Sequence, residues 1–151
     1  MVPPVADLTA HHPAKGPSDR IAYGFVKALR FIADTFFAKR YGHRAVVLET
    51  VAAVPGMVGA TLNHLKCLRR MIDDRGWVRT FMDEAESQRV HLMAFVSIRR
   101  PSLGERLLIA IAQGVFYNGY FLLYLISAQT AHRMAGYLAE ASVRGYSDYL
   151  D

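Results

Sequence analysis

Arg44-Ala-Val-Val-Leu-Glu-Thr-Val-Ala-Ala-Val-Pro-Gly-Met-Val-Gly59 sets one carboxylate, Glu49, inside an otherwise apolar run. Apolar residues fill every face of this stretch, so it reads as a helix buried in a helical protein rather than on its surface. Burying Glu49 is costly unless something cationic meets it. Some forty residues on, Glu84-Ala-Glu-Ser-Gln-Arg-Val-His91 places Gln88 three residues before His91, hence on one face of a second helix. That spacing would supply a cation as a metal ion, except that a metal would prefer a carboxylate at position 88. On spacing alone, a polar residue at a helix interface explains Glu49, and a hydrogen-bonded core histidine explains His91, better than metal ligation does.

Working outward, residues 1–17 hold four of the six prolines and read as a flexible N-terminal arm; residues 18–151 read as one helical domain. Ser18 is the expected N-cap of a first helix carrying Ile21, Phe25, Ala28, Leu29, Ile32 and Phe36 at helical spacing, an amphipathic pattern. A second helix is expected from about His43 to Asp74, interrupted or kinked near Pro55-Gly56, with Gly76 as the stop signal. Trp77 to Arg99 forms a third, ended by Pro101. A fourth begins near Gly104, and no Asp, Glu, Lys or Arg occurs between Arg106 and Arg133. Leu107 to Ile126 is long enough to cross a bilayer, while Gln113, Gly114, Asn118 and Gly119 suit the central helix of a bundle equally well. A fifth helix covers about Thr130 to Leu150. No segment reads as a strand, so the fold class is all-α.

Composition narrows the function classes. The net charge is +5, but no aromatic-basic repeat or DNA motif accompanies it, which argues against nucleic acid. With 52% apolar residues, short basic clusters such as Lys66, Arg69 and Arg70 better suit an anionic membrane surface. The single Cys67 excludes an intramolecular disulfide and any thiolate metal cluster. The N-terminus shows neither a signal peptide nor an Arg- and Ser-rich transit peptide.

Carboxylate-bridged di-iron proteins set a Glu on each of two helices and a Glu-x-x-His on each of two others. The residues from Arg44 to Gly59 closely resemble the first ligand helix of the alternative oxidases, the di-iron ubiquinol oxidases of the mitochondrial inner membrane. His64-Leu-Lys-Cys-Leu-Arg-Arg70, Gly76-Trp77, Ala112-Gln-Gly-Val-Phe116, Tyr124-Leu-Ile-Ser127 and His132-Arg-Met-Ala-Gly-Tyr-Leu138 are similar to the same family. The resemblance implies a ferritin-like four-helix di-iron bundle with an extra N-terminal amphipathic helix. That bundle binds one membrane leaflet, commonly as a homodimer, oxidises ubiquinol and reduces dioxygen to water without pumping protons. In it the long apolar segment is mainly core. Glu49 matches a metal ligand and His91 the histidine of the second ligand helix. Arg44, Leu48 and His132 match quinol-pocket positions, and Tyr146 matches a tyrosine beside the metals.

The departures fall on the ligands. The family's Asn-Glu-Arg-Met-His reads Ser87-Gln-Arg-Val-His91, and Leu-Glu-Glu-Glu-Ala reads Leu138-Ala-Glu-Ala-Ser142, so Gln88 and Ala139 stand where the family has Glu. Glu140 lies about 100° round the helix from Ala139, Glu84 one turn before Gln88, and Gly145 replaces a quinol-pocket residue. The family's last ligand helix, with its Asp-Glu-x-x-His motif, falls past residue 151. The expectation is a chain without oxidase activity as it stands, iron loading included; the alternative is a degenerate paralogue serving as a membrane-associated binding or dimerisation partner.

Overall fold

The computed structural model describes the backbone of residues 11–37, 41–98 and 100–150, and side chains within 11–35, 46–98 and 100–144 except Ala33. Five helices follow in order: α1 (Pro17–Phe37), α2 (Tyr41–Arg70), α3 (Trp77–Ile98), α4 (Leu103–Ile126) and α5 (Ala128–Leu150). No strand occurs among the described residues. The all-α expectation holds, and so does the amphipathic first helix.

The helix ends show which local chemistry won. Pro17 opens α1, its fixed φ and missing N–H suiting the first turn, and Arg20 N–H donates to Gly16 O at 3.0 Å. Ser18 is therefore inside the helix, not its cap; its hydroxyl instead meets Thr130 Oγ1 of α5 at 2.7 Å. α2 runs unbroken through Pro55. It ends at Met71, whose φ of 51° is left-handed, and not at Gly76. Gly76 (φ 81°) instead leads into α3, where Asp74 Oδ2 accepts from the Val78 N–H at 2.8 Å and caps that helix. At α4, Ser102 and Glu105 form a reciprocal capping box. Ser127 alone joins α4 to α5: its N–H closes α4 on Leu123 O at 2.8 Å, and its hydroxyl accepts from the Thr130 N–H at 3.3 Å.

Ala22, Val26, Val51, Val54, Val58, Phe116, Tyr120, Ala131, Met134, Tyr137 and Leu138 form one buried cluster drawn from α1, α2, α4 and α5. α3 lies against α2 instead. A Cβ on Gly56 would come 2.7 Å from Phe81 O and 3.1 Å from Ala85 Cβ, so the Pro-Gly-Met-Val-Gly stretch forms a notch that α3 fills with its backbone. The turn over residues 71–76 makes the two helices antiparallel.

α4 corrects the sequence expectation most sharply. It is not mainly core: of its residues only Phe116 and Tyr120 are buried. Leu103, Leu107, Leu108, Ile111, Val115, Leu122, Leu125 and Ile126 are all exposed, Ile126 at 84%. At 100° per residue these fall on one side of the helix, with Phe116 and Tyr120 on the other. α1 likewise exposes Ile21, Phe25, Phe31 and Ile32 while burying Ala22 and Val26. Contiguous apolar faces of this size mark an interaction surface.

Candidate functional site

The crossing of α2 and α3 at Gly56 and Ala85 sets the level of the singled-out polar residues. Glu49 lies two turns before Gly56 and His91 nearly two turns after Ala85, so antiparallel packing brings Glu49 and His91 to about one height, with Gln88 about one turn nearer the crossing. Glu49 is buried, 2% exposed, and the Thr50 hydroxyl bonds back to Val46 O at 2.8 Å. Gln88 is half-buried, and its Oε1 is a buried acceptor with no hydrogen bond. His91 is exposed and engaged with a neighbour. Ala139 is exposed.

This donor set does not fit two irons. It offers one carboxylate at Glu49, a neutral amide and one imidazole, and among the described residues no group of three His, Cys, Asp or Glu converges. A buried di-iron centre needs several carboxylates to balance its charge. Glu140 does not substitute for Ala139, because its carboxylate is already committed to the N-terminal segment: His11 Nδ1 lies at 2.6 Å from Oε2, and His12 N–H donates to Oε1 at 3.1 Å. Burial pushes that carboxyl up, but those hydrogen bonds outweigh it and hold Glu140 below the usual carboxylate range. Burial raises the Glu84 carboxyl, and after burial and Tyr124 its charge helps push up the Tyr120 phenol of α4.

The quinol-pocket expectations divide. Leu48 lines a small apolar cleft of about 20 Å³ with Val26, Arg30, Ala52, Leu138, Ala141 and Ser142, between α1, α2 and α5. Val26, Arg30 and Ala141 also line a larger polar cleft of about 250 Å³, walled by Tyr23, Lys27, Tyr137, Glu140 and Arg144. The two form one groove with an apolar and a polar end. His132 is elsewhere. Its ring stacks on Phe81 of α3, centroids 5.6 Å apart, and its Nε2 meets Tyr124 Oη of α4 at 3.1 Å. Burial lowers the imidazole and raises the Tyr124 phenol, so both are neutral near pH 7 and the phenol donates to Nε2. Arg44 lies in α2, and Gly145 and Tyr146 in α5, with side chains outside the described residues.

Sequence reasoning missed Arg30, Ala52 and Ala141 as lining residues. Arg30 reads as a polar-face charge of α1, and only the docking of α1 on α5 turns it into the groove. Leu138 carried a signal, since it stands in the motif that includes Ala139. Also missed was the pairing of His11 and His12 with α5, which no spacing rule encodes.

Comparison with known proteins gives the family. The family model for alternative oxidase matches residues 6–151. The chain is 54% identical over 144 residues to ubiquinol oxidase 1a, mitochondrial, of rice (Oryza sativa subsp. japonica), covering 95% of this chain and 43% of the relative. It is 52% identical to ubiquinol oxidase 1a of Arabidopsis thaliana and 51% to ubiquinol oxidase 1 of tobacco, each over 95% of this chain and 41% of the relative. The chain thus spans less than half the length of these relatives. With its length matched almost throughout, the chain belongs to the alternative oxidase family.

Proposed function

We propose that these 151 residues form a quinol-binding, membrane-surface portion of a mitochondrial alternative oxidase, and that they do not by themselves carry its iron chemistry. One observation carries the second half: where the family's register asks for carboxylates, this chain presents the neutral Gln88 and the exposed Ala139, and the nearest carboxylate, Glu140, is held by His11 and His12.

The groove supports the first half. Its larger end, about 250 Å³ between Val26, Ala141, Tyr23 and Tyr137, approaches the size a substituted ring needs, and the Arg30 guanidinium at the join with the Leu48 cleft supplies N–H donors for a ring oxygen. The exposed faces of α1 and α4 support attachment to one leaflet. α4 is apolar and long enough to cross a bilayer, yet Phe116 and Tyr120 pack it lengthwise on the other helices, which favours lying on the membrane. Names of relatives point to the mitochondrion and to ubiquinol. The test is iron and dioxygen consumption measured on the purified chain, with quinone-analogue binding in the same preparation. Retained binding without iron or turnover upholds the reading. Turnover sinks the second half, and absent binding sinks the first.

A second reading, a non-catalytic paralogue, is favoured by the same two substitutions.

A further inference from the structure

Residues 11–15 are tied across α1 and α5 by groups that the iron or quinol readings leave unused. His11 bonds Glu140 and packs on Tyr23 and Tyr137, with ring centroids at 5.5 and 6.1 Å. Tyr23, Tyr137 and Glu140 also line the larger cleft, so His11 is anchored beside it. His12 gives its backbone N–H to Glu140 and its Nε2 to Arg133, whose guanidinium donates to it at 2.9 Å. Arg133 also holds Asp19 through Nε at 3.1 Å, and the Lys15 N–H reaches Asp19 Oδ2 at 3.3 Å. His12 Nε2 lies 3.9 Å from that same oxygen.

The Arg133 bond requires a neutral His12 with its proton on Nδ1, because a guanidinium only donates. We propose that residues 11–15 are a strap tying α1 to α5 beside the larger cleft, and that protonation of His12 releases it. The groups facing His12 are Arg133 and Tyr137 from α5, Asp19 from α1, and Glu140 at its backbone; Lys15 follows in the strap itself, and Lys27 and Arg144 lie further along the groove. A proton on Nε2 ends the bond and sets two cations at 2.9 Å against one carboxylate at 3.9 Å. On distance alone the repulsion exceeds the attraction by about a third, and Asp19 is already paired to Arg133. Glu140 stays ionised, so His11 keeps its partner and the strap swings from the His12 end. The strap stands without the quinol reading.

Hydrogen exchange of the intact 151-residue chain in neutral detergent tests this, as protection factors at pH about 7.5 and about 5.5, spanning the ordinary imidazole range. The amides of His12 and Lys15 are expected to lose about tenfold in protection on acidification, about what loss of one hydrogen bond to a charged group gives. In His12→Gln, whose amide oxygen accepts from Arg133 at either pH, they are expected to stay within about twofold. In the wild-type chain the loss must track the His12 imidazole ¹⁵N signals. Constant protection in the wild type, opening that follows another group, or an equal loss in α2 amides overturns the strap; the ¹⁵N titration decides even if the variant misfolds.

Discussion

Replacing Gly56 with Ala probes the notch that seats α3 on α2. The added Cβ would stand 2.7 Å from Phe81 O and 3.1 Å from both Cβ and N of Ala85. Two of those three atoms are backbone, so relief requires moving a helix rather than turning a side chain. Overpacking of this kind costs about 1–3 kcal/mol, and backbone neighbours argue for the upper half. Against it, Ala gains up to about 1 kcal/mol over Gly in a helix interior. The net expectation is a loss of about 1–2 kcal/mol. Gly24, in the middle of α1, has nothing within 4 Å of its Cβ position, so Gly24→Ala should show the propensity gain alone. The two variants thus differ in sign. Urea unfolding followed by circular dichroism in detergent would read both. A Gly56→Ala protein as stable as Gly24→Ala would refute the notch and the α2–α3 register built on it.

Further outcomes follow from the groove, the exposed face and the His132 imidazole. Arg30→Ala should weaken quinone-analogue binding by roughly tenfold or more, the worth of a hydrogen bond from a charged donor, read by equilibrium dialysis; unchanged affinity would place the ring elsewhere. Val115→Asp, at a residue 70% exposed on α4, should reduce partitioning onto neutral phosphatidylcholine vesicles by about tenfold or more without altering helix content. Equal partitioning would remove α4 from the membrane face. Burial holds His132 below the ordinary imidazole range, so the unfolded chain takes up its proton first on acidification. Stability from this group is present above pH about 6.5 and is lost as pH falls through the lowered folded value. His132→Gln should flatten that slope in pH-dependent unfolding, and an unchanged slope would assign it to other groups.

Most of the helical architecture was legible because long apolar runs and Ser, Pro and Gly signals act locally. Errors arose where one signal fits two ends. Gly76 suits a helix stop, yet Met71 takes the left-handed turn and Asp74 claims the next helix. Ser18 suits a cap, yet Pro17 opens the helix. α4 was misread for a deeper reason: hydropathy records that a face avoids water and not what covers it, so a membrane-facing stripe and a core stripe look alike. At the candidate site, Glu49, Gln88, His91, Ala139 and Leu48 could be singled out because the family motif numbers those positions. Arg30 joins Leu48 through the docking of α1 on α5, a long-range event without a periodic trace.

The central claim is that the family's quinol-side architecture persists here while these residues lack a competent iron site. Metal analysis of the purified chain after reconstitution with ferrous iron, paired with cyanide-insensitive ubiquinol oxidation, tests it most directly. The expected result is far less than one iron per chain, no dioxygen uptake, and no rescue by Gln88→Glu with Ala139→Glu. About two irons per chain with sustained turnover would contradict it.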